Sequence, residues 1–496
     1  MQTVAAENKM GSMPVNKLIW NMALPIILSM LVQALYNMVD SVFVSMINEE
    51  SLTAVSLAFP VQNLIIGLSS GTAVGMNALF SRALGAKDQK RADTVAMNGV
   101  FLAIMGSIVC LIATFLISRP FMETQTEVAY IAEQGVTYLN ICGGLSFGIF
   151  IGITFERLLQ GTGRTVYAMY GQMGGAIINL ILDPIFILVF DWGVAGAAYA
   201  TVIGQIIGFG VHLWFNIKKN DDVHLSFRGF RPSLKIIGQI YAIGIPSVVM
   251  VAIGSVTTFC MNKILITYHI GKETAATVFG IYFKLNSLFF MPVFGLNNAI
   301  VPIIAYNYGA MNRRRMMKTM KLSITYAIGI MALGAAAFVL MPNTLLSFFH
   351  ASDFMLQIGK PALQIIGPSF LLAGACISTI SACQALGHSI YSMFISFFRQ
   401  IFFLLPTAYF LGRYGAESGK YDLVWLSYPL AEVIAISVTV FFMVRLYKKV
   451  IVHVPMDGPT AECQKGEDPW EKHCSSTVLP GETETPPHWL QSSSVT

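Results

Sequence analysis

Twelve apolar stretches, each long enough to cross about 30 Å of hydrocarbon as a helix, leave this chain few ways to fold. They run over roughly 18–46, 53–80, 94–118, 134–158, 167–190 and 194–217, then 237–267, 275–305, 322–349, 361–386, 389–412 and 423–446. With 55% hydrophobic and 11% charged residues among 496, the chain is far less charged than a soluble globular protein, in which about 25% of residues carry charge. The predicted class is an all-α integral membrane protein with twelve transmembrane helices.

The second half repeats the first. Gly71, Gly85 and Ala86 recur as Gly295, Gly309 and Ala310, and Gln160, Gly163, Tyr167 and Met169 recur as Gln384, Gly387, Tyr391 and Met393, at a constant spacing of 224 (71 to 295, 160 to 384). That points to duplication of a unit about half the chain long. Six spans per half is an even number, so both halves enter the membrane with the same orientation, related by an axis along the membrane normal. Two six-helix lobes with pseudo-two-fold symmetry are expected at 14–217 and 237–449, joined by a linker at 218–236. Residues 1–13 precede them. A Pro-, Ser-, Thr- and Glu-rich tail at 450–496 is expected to be disordered.

Lysine and arginine placement orients the bundle. Arg82, Lys87, Lys90 and Arg91 follow the second span, Lys218, Lys219, Arg228, Arg231 and Lys235 the sixth, and Arg313, Arg314, Arg315, Lys318 and Lys321 the eighth. Alternate loops carry Glu49, Glu50, Glu123, Glu127 or Asp191 instead. The positive-inside rule then puts both termini in the cytoplasm, as expected for a multi-pass protein of the cell inner membrane. The net charge of +5 is accounted for by topology and implies no nucleic-acid partner. The first apolar run is too long for a cleavable signal and enters the repeat pattern. Cys110, Cys142, Cys260, Cys376 and Cys383 lie in apolar spans without metal-binding spacing and read as small packing residues.

The carboxylates inside the first half carry the functional argument. An acid in hydrocarbon costs at least a few kcal/mol unless it faces a cavity or a partner. Asp40, Asp183 and Thr201 each lie about seven residues from the outer end of their span, which is about 10 Å below the surface at 1.5 Å per residue. Asn179 shares a helical face with Asp183, and Pro184 leaves the carbonyl of Leu180 without its helical donor. Gln33, Tyr36, Asn37 and Asp40 form a polar stripe on the first span. These are hard oxygen donors. Asp40, Asn179, Asp183 and Thr201 suit Na⁺, or two carboxylates sharing H⁺, and no organic cofactor is expected.

These residues also carry a resemblance. The run from Asn179 through Asp183 and Pro184, the segment Gly193 to Thr201 with Gln205, the Tyr36-Asn37-Met-Val-Asp40 segment, and Glu156-Arg157 leading to Gln160 and Gly163 are similar to the multidrug and toxic compound extrusion (MATE) transporters. The similarity is to their DinF-like/MepA-like bacterial branch, over roughly residues 14–450. The resemblance implies the MATE/MOP-type fold, a V-shaped cavity between the lobes, and antiport of amphipathic, often cationic, drugs or dyes against Na⁺ or H⁺. Carried over residue by residue, it implies an ion site at Asp40, Asn179, Asp183, Thr201 and the backbone carbonyl near Ala197. No family counterpart matches the tail.

The second half departs from the carboxylate pattern of another branch: its seventh span offers Lys263, and its tenth, from Gly367 to Gly387, has no acid. Lys284, Arg399 and Glu432 have similar estimated depths and read first as an internal ion network, with contact between Lys284 or Arg399 and an anionic substrate group as the alternative. Glu156 is expected to pair with Arg157 or Arg164, or to meet substrate directly. Tyr36 and Met173 are candidates for an adaptable drug-binding wall. The glycine pairs Gly71/Gly75, Gly148/Gly152 and Gly171/Gly175 read as helix-packing sites. The G-x-S-x-G matches at Ser69 and Ser146 lack the strand-to-helix setting of a nucleophile elbow, so no enzyme is expected. Export of a lipid-linked saccharide or peptidoglycan precursor is the rival function; it calls for a more basic cavity. A monomer embedded in lipid is expected.

Overall fold

The computed structural model describes residues 8–456 apart from 227, 229, 270–272 and 350–351. A short α1 (Lys9–Ser12) is followed by α2 (Val15–Ser45), α3 (Glu49–Gly85), α4 (Gln89–Gln125), α5 (Ala129–Gly144), α6 (Phe147–Gly161), α7 (Thr165–Pro184) and α8 (Gly193–Lys219). The second lobe contains α9 (Leu234–Tyr268), α10 (Glu273–Gly309), α11 (Arg313–Leu340), α12 (Pro342–Ser347), α13 (Asp353–Ile366), α14 (Phe370–Ala385), α15 (Ser389–Phe397), α16 (Leu405–Ser418) and α17 (Ser427–Lys449). Eleven segments among the described residues are long and apolar enough to span a membrane, and the pair α5–α6, bent by 45°, makes a twelfth.

Two of the expected spans need correction. The fourth is broken, because Gly143, Gly144 and Ser146 support a helix poorly at the bend. The ninth begins nine residues earlier than 322 and stops at Leu340, where Pro342 opens α12. Most others extend beyond their apolar runs by a turn or more of polar helix. The expected tail also starts later: Ile451 and Val454 are buried, and the amides of Arg313 and Arg314 donate to the carbonyls of Pro455 and Met456 at 3.0 Å. Residues 457–496 lie outside the described residues.

The repeat extends to backbone detail. Lys87 and Met311, again 224 apart, both turn left-handed (φ 58° and 55°), and Gly163 and Gly387 both have φ 81°. Asp88 caps α4 by accepting from the amide of Arg91, and its counterpart Asn312 caps α11 by accepting from Arg315.

The lobes meet through glycines. Gly85 on α3 packs against the carbonyl of Tyr306 on α10, while the repeat-related Gly309 packs against the carbonyl of Arg82, a self-complementary contact about the pseudo-two-fold axis. Gly71 lies against Gly244 and Val248 of α9, Gly67 against Val251, and Gly295 of α10 against Ile27 of α2. These contacts run from the middle of the bundle, at Gly67 and Val251, into the half where α2 begins and α17 ends. Toward the opposite face α10 has no such neighbour, since a Cβ on Gly280 would meet nothing within 4 Å, which leaves room there for the expected cleft between α2, α3, α9 and α10. The N-terminal segment straps the closed end: Asn8 donates to the carbonyl of Thr162 in one lobe, and Asn307 and Arg315 of the other donate to the carbonyl of the fully buried Met10. Burial there, with Arg164 nearby, holds the Lys9 ammonium below its usual range.

Candidate functional site

Helix α7 ends in a defect that builds the site. Pro184 supplies no amide hydrogen, and the next residues, Ile185–Val189, form a π-helical turn closed by the Phe190 amide donating to Ile185 at 2.9 Å. Left-handed residues Asp191 (φ 53°) and Gly193 (φ 55°) then reverse the chain into α8. A Cβ on Gly196 would stand 2.9 Å from the backbone of Phe186, so this glycine lets α8 start hard against the π turn. One residue on, Ala197 packs with Ile187 of that turn and Val44 of α2. Thr201 follows one helical turn later on the same face of α8.

The α7–α8 seam is drawn tight by small residues. Gly175 and Gly204 would each bring a Cβ to 2.7 Å from the other's carbonyl oxygen, Gly208 would reach Gly171 at 3.0 Å, and Gly204 lies under the Cβ of Asn179. Glycines at 148 and 152 likewise seat α6 against Ile206 and Phe209 of α8. The expected packing role of the glycine pairs matches these contacts.

Against this scaffold the carboxyls of Asp40 on α2 and Asp183 on α7 meet across the helix interface. Asn179 donates from Nδ2 to Asp183 Oδ1 at 3.3 Å. Asn179 and Asp183 are fully buried; Asp40 is half-buried. One buried oxygen of each, Asp40 Oδ1, Asn179 Oδ1 and Asp183 Oδ2, accepts no hydrogen bond. Buried acceptors left unsatisfied cost about 1–3 kcal/mol each, and more when charged. Two carboxyls pressed together repel unless a positive charge joins them. The set therefore fits a hard monovalent cation or a shared proton, since every donor is oxygen. Among the described residues no group of three or more His, Cys, Asp or Glu side chains converges to hold a metal ion.

Below this level a second polar rung joins the same helices: Gln172 Nε2 donates to Gln33 Oε1 at 2.7 Å, with the Tyr36 hydroxyl reaching Gln33 and lying within electrostatic range of both carboxyls. Gln172 was missed in the sequence, although it stands seven residues before Asn179 and eleven before Asp183, on one face of the helix. The expected neighbour, Met173, is turned about 100° away from that face. Also unforeseen is Tyr138, buried on α5 near Asp40 and donating to Gln62 at 3.4 Å; nothing in sequence spacing links it to α2. Asn37 is exposed on the cleft side of α2.

The remaining candidates separate. Glu156 accepts from Gln160 Nε2 at 2.8 Å, and Gln160 Oε1 in turn accepts from Arg157 at 2.9 Å, so the expected Glu156–Arg157 pair is relayed through an amide. Arg164 pairs instead with Asp221 and Asp222, at 3.3 and 3.4 Å. In the second lobe Arg399 and Glu432 form an ion pair at 3.3 Å, close to Tyr282, Tyr428 and Cys376. Lys284 does not join this network. It is exposed, on the opposite side of α10 from buried Tyr282. The helical face separates them. Arg399 sits in a π-helical stretch, Phe398–Leu404, in the repeat counterpart of the span that holds Asp183.

Comparison with known proteins agrees with this architecture. The MatE family model matches residues 25–185 and 246–410, more than half of the chain. The multidrug export protein MepA of Staphylococcus aureus (strain NCTC 8325 / PS 47) is 26% identical over 383 residues, covering 76% of this chain and 82% of that protein. Its counterpart in Staphylococcus haemolyticus (strain JCSC1435) is 23% identical over 441 residues, 88% and 95% of the two chains. A solved structure described as the outward-facing conformation of a multidrug resistance MATE family transporter of the MOP superfamily superposes with a TM-score of 0.85 at 25% identity, over 90% of this chain and 99% of that one.

Proposed function

The chain belongs to the MatE family, and from that premise we propose that this multi-pass membrane transporter exports amphipathic, often cationic, compounds in exchange for Na⁺ or H⁺. The observation that carries the coupling is the trio of buried oxygens on Asp40, Asn179 and Asp183 that lack hydrogen-bond donors. Thr201 and the carbonyl near Ala197 complete the ligand set. The termini are cytoplasmic, so the cleft faces outward.

In this state a cation or proton entering from outside neutralises Asp40 and Asp183 and removes their repulsion, which lets α2 and α7 close together. Neutralising the first lobe also weakens its hold on a cationic substrate in the cleft, which leaves to the outside. The lobes then rock, the ion escapes inward, and the re-ionised pair favours a new substrate from the cytoplasm. Coupling of this kind requires each ligand to bind the two states with different affinity. The cleft lies within one chain, so a monomer suffices.

The test is efflux of a fluorescent cationic dye from proteoliposomes under separately imposed Na⁺ and pH gradients, with Asp40→Asn and Asp183→Asn beside the native chain. Transport driven by one gradient and lost in both variants supports the reading and names the ion. Native transport that survives both substitutions would sink the coupling site.

A further inference from the structure

Helix α10 carries one continuous face that changes environment along its length. In the closed half of the bundle, Gly295 and Asn298 on this face touch Ile27 and Met30 of α2. Three turns toward the open end, Lys284 stands eleven residues before Gly295, about 20° from it at 3.6 residues per turn. The neighbouring positions on this stripe, Thr277, Gly280 and Leu288, are exposed as well. The face covered by the first lobe below is thus uncovered above, and Lys284 projects into the cleft. It lies about 17 Å from the outer end of α10, too deep for its side chain to reach water around the lipid headgroups.

Helix α9 repeats the geometry. Val248 touches Gly71 of the first lobe, and Phe259, eleven residues farther out on the same face, is 69% exposed. It lies about 14 Å from the end of α9, near the depth of Lys284 on the adjacent helix. Between them they present an aromatic surface and an ammonium group on the second lobe. No carboxylate among the described residues pairs with Lys284: the acids of this region are committed to each other in the first lobe or to Arg399.

We propose that Lys284 is the anion-recognition point of the cleft, the residue that sets the preference for aromatic amphipaths bearing a carboxylate, zwitterions included. The ring system rests on Phe259 and the carboxylate docks on Lys284. A substrate's cationic end reaches the polar side of α2 at Asn37, with Asp40 behind it, about 9 Å nearer the outer surface. This assignment rests on the export function proposed above and names the residue that reads the anionic end of its substrates. A charge-assisted contact in a partly dehydrated cleft discriminates by roughly tenfold or more.

Rhodamine 110, a zwitterion with a free carboxyl group, and rhodamine 123, its cationic methyl ester, share one fluorophore and isolate this term. Both are to be measured in proteoliposomes, and by fluorescence polarisation with protein in detergent, for the native chain, Lys284→Gln, Lys284→Arg and Phe259→Ala. The expected result is that Lys284→Gln raises KM and Kd for rhodamine 110 by roughly tenfold or more and leaves rhodamine 123 unchanged or bound more tightly. Lys284→Arg should preserve the native preference, and Phe259→Ala should weaken both dyes. A native chain that moves rhodamine 123 but not rhodamine 110 overturns the assignment and leaves export standing, as does a Lys284→Gln variant that affects both dyes equally. A native chain that moves neither dye overturns the export reading and this assignment with it.

Discussion

Gly295→Ala tests whether the glycine contacts act as the inner gate. A Cβ at 295 would lie 2.8 Å from Ile27 Cα and 2.9 Å from Ile27 N, against an ordinary contact of 3.4–4 Å. These are backbone atoms, so no rotamer change relieves the clash, and α2 and α10 must separate by about 0.6 Å or more. Overpacking of this kind costs about 1–3 kcal/mol. Only the state with this end closed bears the cost, because rocking parts the helices here. At about 1.4 kcal/mol per decade, the balance shifts roughly 5- to 150-fold toward the inward-open state. Spin labels on Ser56→Cys and Thr267→Cys, in a chain with its native cysteines replaced, report the separation of the outer ends of α3 and α9. The short-distance population should grow and dye efflux should slow. Gly329→Ala, where nothing lies within 4 Å, serves as the silent control. An unchanged distance distribution with native efflux would refute the idea that this contact sets the conformational balance.

Other expectations follow from the same contacts. Gly204→Ala places a Cβ 3.1 Å from Asn179 Cβ and 2.7 Å from the Gly175 carbonyl; prising α8 from α7 should raise the concentration of coupling ion needed for half-maximal efflux, with dye binding in detergent little altered. Gln172→Leu leaves Gln33 without its donor and should cost about 1–3 kcal/mol of thermal stability, whereas Gln33→Leu with Gln172→Leu should recover part of the loss. Arg399→Met strands buried Glu432 and should destabilise by about 3–5 kcal/mol; adding Glu432→Leu should restore most of it, as read by thermal unfolding in detergent. If the double variant is as unstable as the single, the ion pair has some role beyond neutralising itself.

The class of molecule was legible because hydrocarbon imposes a length and a composition on every span, and the duplication because a constant spacing of 224 needs no structure to be seen. Even the caps at Asp88 and Asn312 follow from local chemistry. Asp40 and Asp183 could be singled out because an acid is costly at that depth wherever it points. Their meeting was another matter. It depends on the α2–α7 packing angle, on the π turn after Pro184, and on the glycine seam that draws α8 under Asn179, none of which has a one-residue signature. Lys284 shows the same limit from the other side: the apolar runs assign it and Arg399 similar depths, yet depth is one coordinate of a helix and azimuth the other. Which face is buried depends on which helices pack around it, so only the assembled bundle separates a lysine in the cleft from an arginine paired inside its lobe.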